Sequence, residues 1–195
     1  MLLYLVLFSI VSCNRGTKEI ITIETEKGNI IVELYPEKAP ITVENFLKYI
    51  DEEHFKNAEF YRTVTMKNQP DNDVKIEVIQ GGIWNINRPD IDAIEHETTE
   101  MTGIKHLDGT ISMARSNPGS ATSEFFICVN DQPSLDYGGK RNPDNQGFAA
   151  FGRVTRGMDI VRSIHSASCE NQSLNPSIKI LNIESGIIAV KKIKK

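Results

Sequence analysis

The sequence has few of the residues on which disulfide and metal chemistry depend. It contains 3 cysteines and 4 histidines in 195 residues, and the histidines are dispersed without a pair at metal-ligand spacing. Because a zinc site needs His or Cys ligands grouped at short intervals, we expect no metal and no cofactor. Cys128 lies in an apolar run that indicates burial, and Cys169 lies in a segment that reads as a loop. They could form a disulfide, but two free thiols are the simpler interpretation.

An excess of one charge sign is also missing. The net charge is −4 with acidic and basic residues interspersed, which argues against general binding to nucleic acid. The length suffices for one buried core, and no Pro/Gly/Ser-rich linker divides the chain. A basic segment, residues 191–195, closes the sequence. We interpret it as a solvated tail, with contact to an acidic membrane surface as the alternative.

The N-terminus is almost wholly apolar from Met1 to Val11, too short for a membrane-spanning helix but typical of a signal peptide. The pair Ser12-Cys13 resembles the cleavage box of bacterial lipoproteins, in which the cysteine is lipidated. We therefore predict a signal peptide at 1–12, lipidation of Cys13, a tether at 13–19, a folded domain at 20–190 and a tail at 191–195. No Lys or Arg precedes the apolar run, so a buried N-terminal strand remains the alternative.

Alternating apolar residues predict a β-hairpin over Ile21–Leu34, and spacings of three and four from Val43 to Ile50 predict a helix with Thr42 as its N-cap. A second helix is predicted to open near Gly157. Because short strands outnumber helices and closure removes exposed strand edges, the pattern predicts a closed antiparallel barrel. Further strands are predicted around 58–64, 74–80, 109–114, 125–130, 149–154 and 178–188.

Four spaced motifs carry a resemblance to a known family. They are Phe60-Tyr61-Arg62, Gln80-Gly81-Gly82, Gly109–Ala114 and Ser123–Ile127. In this order they resemble the cyclophilin family of peptidyl-prolyl cis-trans isomerases, over residues 20 to 183. The resemblance implies a mainly β fold, a closed eight-stranded antiparallel barrel capped by two α-helices, with its binding groove on the outer surface. It also implies rotation about X-Pro bonds without a metal or cofactor.

The same resemblance implies roles for individual residues. Arg62 is the expected donor to the prolyl nitrogen, and Gln80 is expected to orient this arginine and contact substrate. Phe126 is the expected floor of a proline pocket, whereas Phe125, its neighbour on the strand, should point into the core. Ala114 and Arg115 match the segment that pairs with an extended peptide. The full implied substrate-binding set is Phe60, Val78, Met113, Ala114, Arg115, Glu124, Phe126, Leu135 and Phe148.

The sequence departs from the best-known members of that family at several positions. Glu124 replaces a glutamine, Phe148 a histidine, and Ser134 a tryptophan used in binding cyclosporin, so we expect weak cyclosporin affinity. Glu77 falls where a pocket phenylalanine is usual, which predicts a looser pocket. A polar stretch, residues 67–73, is inserted between the arginine and glutamine motifs.

The expected function is that of a monomeric isomerase, lipid-anchored in a bacterial envelope, which acts on proline-containing segments of folding proteins. Two other classes stay open. Glu77 and Ser134 favour a non-catalytic module that only binds proline peptides, and the barrel could also serve as a structural subunit of an envelope complex. A hydrolase triad of Ser112, His106 and Asp108 is disfavoured because no nucleophile-elbow motif surrounds the serine.

Overall fold

The computed structural model describes residues 17–84 and 91–189. The strands are β1 (Thr17–Thr25), β2 (Gly28–Leu34), β3 (Glu59–Val64), β4 (Val78–Gly82), β5 (Thr110–Met113), β6 (Phe125–Cys128), β7 (Ala149–Arg156), β8 (Cys169–Glu170) and β9 (Ser173–Ala189). The helices are α1 (Pro40–Asp51), α2 (Thr99–Thr102) and α3 (Met158–His165), and a 3-10 turn covers Pro133–Leu135. The predicted strands and the two longer helices are present, and α2 is an addition.

The strands close into a barrel. Their hydrogen-bonded order is β1-β2-β7-β5-β6-β4-β3-β9, and β9 pairs back with β1, so that eight antiparallel strands form a ring. The short strand β8 pairs with β9 beside this ring. Closure satisfies the strand edges that an open sheet would expose. The predicted closed eight-stranded antiparallel barrel is confirmed.

The interior of the barrel is filled by side chains. Ile21 and Ile23 of β1 and Ile30 and Val32 of β2 alternate with outward-facing residues and have no exposed surface, as the two-residue period of a strand requires. These strands pair from Thr25↔Gly28 outward, which confirms the predicted hairpin.

Aromatic rings pack at the centre of this core. Phe125 contacts Phe46 of α1 and Phe60 of β3 edge-on, at centroid distances of 5.5 and 5.7 Å. Edge-to-face packing of this kind is favourable beyond the area it buries. The prediction that Phe125 fills the core is confirmed. Because the interior is occupied, a peptide has to bind at the outer surface.

Helix α1 receives its N-terminal cap from a distant carboxylate. The prediction of Thr42 as N-cap is wrong, because the helix begins at Pro40 after Ala39 and Thr42 lies inside it. Instead, the buried carboxylate of Glu97 accepts hydrogen bonds from the N–H groups of Ile41 at 3.2 Å and Thr42 at 2.8 Å. A carboxylate at this position accepts hydrogen bonds from N–H groups that have no partner within the helix, and its negative charge interacts favourably with the helix dipole.

Helix α3 begins directly after Gly157, as the sequence predicts. Gly157 has φ of 91°, and a Cβ atom there would lie 2.4 Å from the carbonyl oxygen of Asn29 in β2. A glycine is therefore needed for this close approach. Val161 and Ile164 then turn inward and are fully buried.

The two cysteines that the structure describes are both free thiols. Cys128 is fully buried in β6, which confirms its predicted burial. The loop prediction for Cys169 is wrong, since this exposed residue pairs with Leu174 in the short β8–β9 ladder.

Several predictions concern residues outside the described ranges. The signal peptide at 1–12, the lipidated Cys13, the first part of the tether at 13–19 and the tail at 191–195 all lie there. Within residues 17–84 and 91–189, no helix has the length and apolar character needed to cross a bilayer.

Candidate active site

A β-bulge in β3 brings Arg62 to the outer surface of the barrel. Phe60 lies opposite Gly81 and Arg62 lies opposite Gln80, so that Tyr61 is the extra residue in the strand. A bulge re-aims the side chains next to it. Phe60 faces the core without exposed surface, whereas Arg62 is partly exposed and lines an open cavity.

The guanidinium of Arg62 is held by two neutral amide oxygens. Its Nη1 donates to Oε1 of Gln80 at 2.8 Å, while its Nε, at 2.9 Å, and its Nη2 donate to Oε1 of Gln172. No carboxylate forms an ion pair with Arg62 within residues 17–84 and 91–189. Burial lowers the pKa of Arg62, but a guanidinium stays protonated at neutral pH. The positive charge is therefore oriented without being neutralised by a partner.

Glu124 extends this network from the far side of Gln80. The Nε2 of Gln80 donates to the hydroxyl oxygen of Tyr61 at 2.6 Å, and that hydroxyl donates to Oε2 of Glu124 at 2.6 Å. The backbone N–H of Ile83 donates to the other carboxylate oxygen at 2.9 Å. Because the NH₂ group of Gln80 faces Tyr61, its carbonyl oxygen faces Arg62. The chain of bonds therefore fixes the orientation of the Gln80 amide.

Burial has the largest effect on the pKa values of Tyr61 and Glu124, the two acidic groups in this network. Desolvation raises the pKa of Tyr61 far above its ordinary value, and the charge of Glu124 raises it further. Desolvation also raises the pKa of Glu124, although the hydrogen bonds from Tyr61 and Ile83 act in the opposite direction. Tyr61 thus remains the proton donor between them. A Cβ atom at Gly82 would lie 2.6 Å from the Glu124 carboxylate, so glycine makes room for that side chain.

An apolar hollow lies beside the arginine, within a half-enclosed cavity of about 390 Å³. Phe126 forms its floor, and the ring of Phe148 meets it edge-on at a centroid distance of 5.3 Å. The buried residues of this hollow form a cluster separate from the barrel core. Its size and chemistry suit a small apolar ring. The apolar lining consists of Ile76, Val78, Phe126, Leu135 and Phe148.

A buried polar chain supports the floor of the hollow from behind. The His106 ring stacks on Phe126 at 5.9 Å with an interplanar angle of 15°. Its Nε2 lies 3.0 Å from the Ser112 hydroxyl, and its Nδ1 lies 2.8 Å from the Asp136 carboxylate. Burial lowers the pKa of His106, against the opposing effect of Asp136. Since Ser112 has no exposed surface, its hydroxyl is inaccessible to a substrate. The acid in this chain is Asp136 rather than Asp108.

Arg115 supports the wall of the hollow. Its guanidinium donates to both carboxylate oxygens of Asp144, at 2.8 and 2.9 Å, and to the carbonyl oxygen of Gly147. The same group lies 5.1 Å from the centroid of the Phe148 ring. The hydrogen bonds from Arg115 lower the pKa of Asp144 to about 2. Arg115 therefore positions Phe148, and Ala114 also lines the cavity and packs against the apolar cluster of the hollow.

The cavity brings together most of the residues that the sequence implicates. Phe60 and Met113 are the exceptions, because both are buried in the barrel core and neither lines the cavity. Their predicted places in the substrate-binding set are wrong. Neighbouring residues of a strand point to opposite faces, so the members of one motif cannot all face the groove. The predicted residues that do line the cavity are Arg62, Val78, Gln80, Ala114, Arg115, Glu124, Phe126, Leu135 and Phe148.

The pocket wall near the start of β4 is filled by an isoleucine. The sequence places Glu77 at the position of an expected aromatic residue, but the side chain that lines the cavity there is Ile76. Glu77 accepts a hydrogen bond from Asn130 at 2.9 Å instead. Ile76 therefore supplies apolar surface at this part of the wall, and the looser pocket expected from Glu77 stays a prediction.

Several residues of the site are not predicted from the sequence, and three of them carry polar groups that matter below. Gln172 precedes β9 and lies 110 positions from Arg62, so no local pattern links the two. Arg141 lines the cavity from a polar loop that carries no motif. The role of Tyr61 could have been predicted, because this residue lies between Phe60 and Arg62 in a recognised motif.

The described residues contain no group of three or more His, Cys, Asp or Glu side chains that could hold a metal ion.

Comparison with known proteins agrees with this geometry. A family model, Cyclophilin type peptidyl-prolyl cis-trans isomerase/CLD, matches residues 20–185. A peptidyl-prolyl cis-trans isomerase of Acinetobacter baylyi is 30% identical over 182 residues, which cover 90% of this chain and 89% of that protein. Peptidyl-prolyl cis-trans isomerase B of Escherichia coli is also 30% identical, over 81% of this chain and 91% of that protein.

Solved structures show the same fold. A cyclophilin type peptidyl-prolyl cis-trans isomerase of Cryptosporidium parvum matches with a TM-score of 0.70 at 20% identity, covering 87% of this chain and 98% of the other. Its structure in the presence of the dipeptide Ala-Pro matches with a TM-score of 0.67 at 21% identity, over 84% of this chain and 96% of that one. Since the family model spans nearly all of the barrel, this chain belongs to the cyclophilin-type peptidyl-prolyl cis-trans isomerase family.

Proposed function

We propose that this isomerase uses Arg62 as the donor to the prolyl nitrogen and acts on proteins that fold in a bacterial envelope. One observation carries the proposed mechanism. Among the residues that the structure describes, the guanidinium has no carboxylate partner, and it lies beside an apolar hollow that fits a proline ring. The peptide presented to it is an extended, proline-containing segment of an unfolded or folding protein.

The chemistry requires little beyond this arrangement. Rotation about an X-Pro bond faces a barrier of roughly 18–20 kcal/mol, because the nitrogen lone pair is conjugated with the carbonyl. Twisting the bond returns the lone pair to nitrogen. A donor aimed at that nitrogen stabilises the twisted form more than the planar form, which is the condition for catalysis. Each tenfold gain in rate needs about 1.4 kcal/mol of this difference.

Gln80 and Gln172 orient the guanidinium of Arg62 before the substrate binds. They hold two sides of the guanidinium, so that little reorganisation is needed when the lone pair appears. Their amide oxygens carry only partial charges, which leaves the positive charge available to the substrate. Tyr61 and Glu124 act one step further out by fixing the Gln80 amide.

The binding-only alternative has less support than catalysis. Glu77 and Ser134 are the features that favour it, and Ile76 lines the cavity next to Glu77. Ser134 stands where the resemblance implies a tryptophan that binds cyclosporin. It precedes the lining residue Leu135 and is not itself part of the floor of the hollow. Neither feature removes the donor or the hollow on which rotation depends.

The proposed location rests on the sequence before the barrel. Cys13 follows an apolar stretch and a small residue, and β1 begins at Thr17, only a few residues later. A lipid on Cys13 would therefore hold the barrel close to the membrane surface. We propose a monomer anchored in this way, with its groove open to client proteins in the envelope.

Replacing the donor should abolish most of the catalysis. Arg62→Ala should lower kcat/KM on a proline-containing peptide by about 100-fold, as expected for loss of a transition-state hydrogen-bond donor. The matched control is Arg156→Ala, which removes an exposed arginine from β7 and should leave the rate unchanged. Equal rates for wild type and Arg62→Ala would remove Arg62 from the mechanism.

The raised pKa of Glu124 predicts a loss of activity in acid. As the pH falls through this pKa, a proton on Oε2 turns the acceptor of the Tyr61 hydrogen bond into a donor, so the Gln80 amide loses its fixed orientation. Activity should be present above that pKa and decline below it. Glu124→Gln keeps an acceptor without titrating and should be nearly as active at neutral pH. A kcat/KM profile from about pH 8 to about pH 4 checks this; an acid decline of equal size in the variant would contradict it.

Lipidation is tested through the cysteine itself. Cys13→Ser should move the protein from the membrane fraction to the soluble fraction and should block its processing. Cys169→Ser, which changes an exposed thiol on β8, should remain membrane-bound. Normal processing and membrane binding of Cys13→Ser would rule out the proposed anchor.

A further inference from the structure

Arg141 is another arginine that lines the cavity containing Arg62. It lies in the loop between the 3-10 turn and β7, and its backbone N–H donates to the carbonyl oxygen of Ser134 at 3.1 Å. The cavity lining includes three arginines in all, and the third, Arg115, is paired with Asp144.

Arg141 is held in place by a polar insertion. Its Nη1 donates to Oε1 of Gln69 at 3.0 Å and to the carbonyl oxygen of Val74 at 2.7 Å. Gln69 is itself buried, and its Nε2 donates to the carbonyl oxygens of Thr65 and Ile76 at 2.7 and 2.8 Å. A buried amide with these partners leaves the arginine little freedom to turn away from the cavity.

The charge of Arg141 has no ionic partner among the described residues. Arg115 and Arg162 pair with Asp144 and Asp108, whereas Arg141 makes no ion pair with any residue in 17–84 or 91–189. Burial lowers the pKa of Arg141, and the charge of Arg62 lowers it further. The two cations therefore repel each other across the cavity.

The acidic group in the cavity lining does not offset this repulsion at Arg141. Glu124 lines the cavity, but its carboxylate oxygens accept hydrogen bonds from Tyr61, Ser123 and the Ile83 N–H. In the part of the chain that the structure describes, the Nε and Nη2 groups of Arg141 have no acceptor. An anion brought by the peptide would supply one, through the charge-assisted bonds that arginine forms with carboxylates.

We propose that Arg141 forms a subsite for an acidic side chain next to the proline, so that the enzyme prefers Asp or Glu flanking the isomerised bond. This inference rests on the proposed function and names its substrate class. The proline ring enters the hollow at Leu135, and Arg141 lies a few residues further along the same loop. A neighbouring carboxylate then reaches Arg141, while Arg62 remains directed at the prolyl nitrogen.

The test uses matched peptides that differ in one residue, Glu or Gln, either directly before or directly after the proline. Wild type should show kcat/KM about 5 to 10 times higher for the Glu peptide at one of these positions, the scale of the net contribution of one ordinary hydrogen bond. Arg141→Gln should bring this ratio close to one, because the rate falls more on the Glu peptide than on the Gln peptide. Lys140→Gln removes the same charge from an exposed neighbour outside the cavity and should keep the preference.

A second measurement uses the wild-type protein alone. The Glu-over-Gln ratio should fall as NaCl is raised from about 20 mM to about 500 mM, because the ions screen the attraction. A wild-type ratio of one at both positions, a ratio that ignores salt, or an equal loss on both peptides in Arg141→Gln would each overturn the subsite.

Failure of the proposed function gives a different result. Wild type would then isomerise neither peptide, and the subsite would be judged from equilibrium binding. Tighter binding of the Glu peptide, lost in Arg141→Gln and kept in Lys140→Gln, supports the subsite. Equal binding of the two peptides overturns it.

Discussion

The guanidinium of Arg62 is held by amide oxygens on both sides, and this choice of partner governs what the site can do. A carboxylate in the same place would hold the arginine as firmly but would cancel much of its field. The oxygens of Gln80 and Gln172 orient the guanidinium. In the mechanism proposed above, this leaves its charge available to a lone pair that exists only in the twisted bond. The carboxylate of Glu124 contributes through two intervening groups, so it stiffens the network without pairing with the arginine.

The barrel supplies the rigidity that this arrangement needs. Phe125 and Phe126 are neighbours on β6, and the first packs into the filled core while the second forms the floor of the hollow. The floor is therefore fixed from behind, by the His106 ring and by the strand itself. The bulge at Tyr61 directs Arg62 to the outer surface of the barrel, on the same side as Phe126. Donor and hollow thus belong to one packed unit, which favours a site prepared before the substrate arrives.

The parts of this site that the sequence predicted are those with local signals. Alternation along a strand separated Phe125 from Phe126, and the spaced motifs located Arg62 and Gln80. The same motifs misplaced Phe60 and Met113, because motif membership does not tell which face of a strand a residue occupies. Gln172 and the capping Glu97 are joined to their partners by contacts across more than 50 positions, 110 and 55 respectively. Such contacts depend on how the barrel closes, so no local pattern could predict them.

The claim that an uncompensated charge drives the rotation is tested most directly at Gln172. Gln172→Glu places a carboxylate against the guanidinium with almost no change of shape, and Gln172→Leu removes the partner without adding charge. The measurement is the exchange rate of a proline peptide while bound, from NMR line shapes, together with its affinity. The account predicts that Gln172→Glu lowers the bound exchange rate about tenfold, equivalent to about 1.4 kcal/mol, with a smaller loss in Gln172→Leu and little change in affinity. An unchanged exchange rate in Gln172→Glu would contradict it.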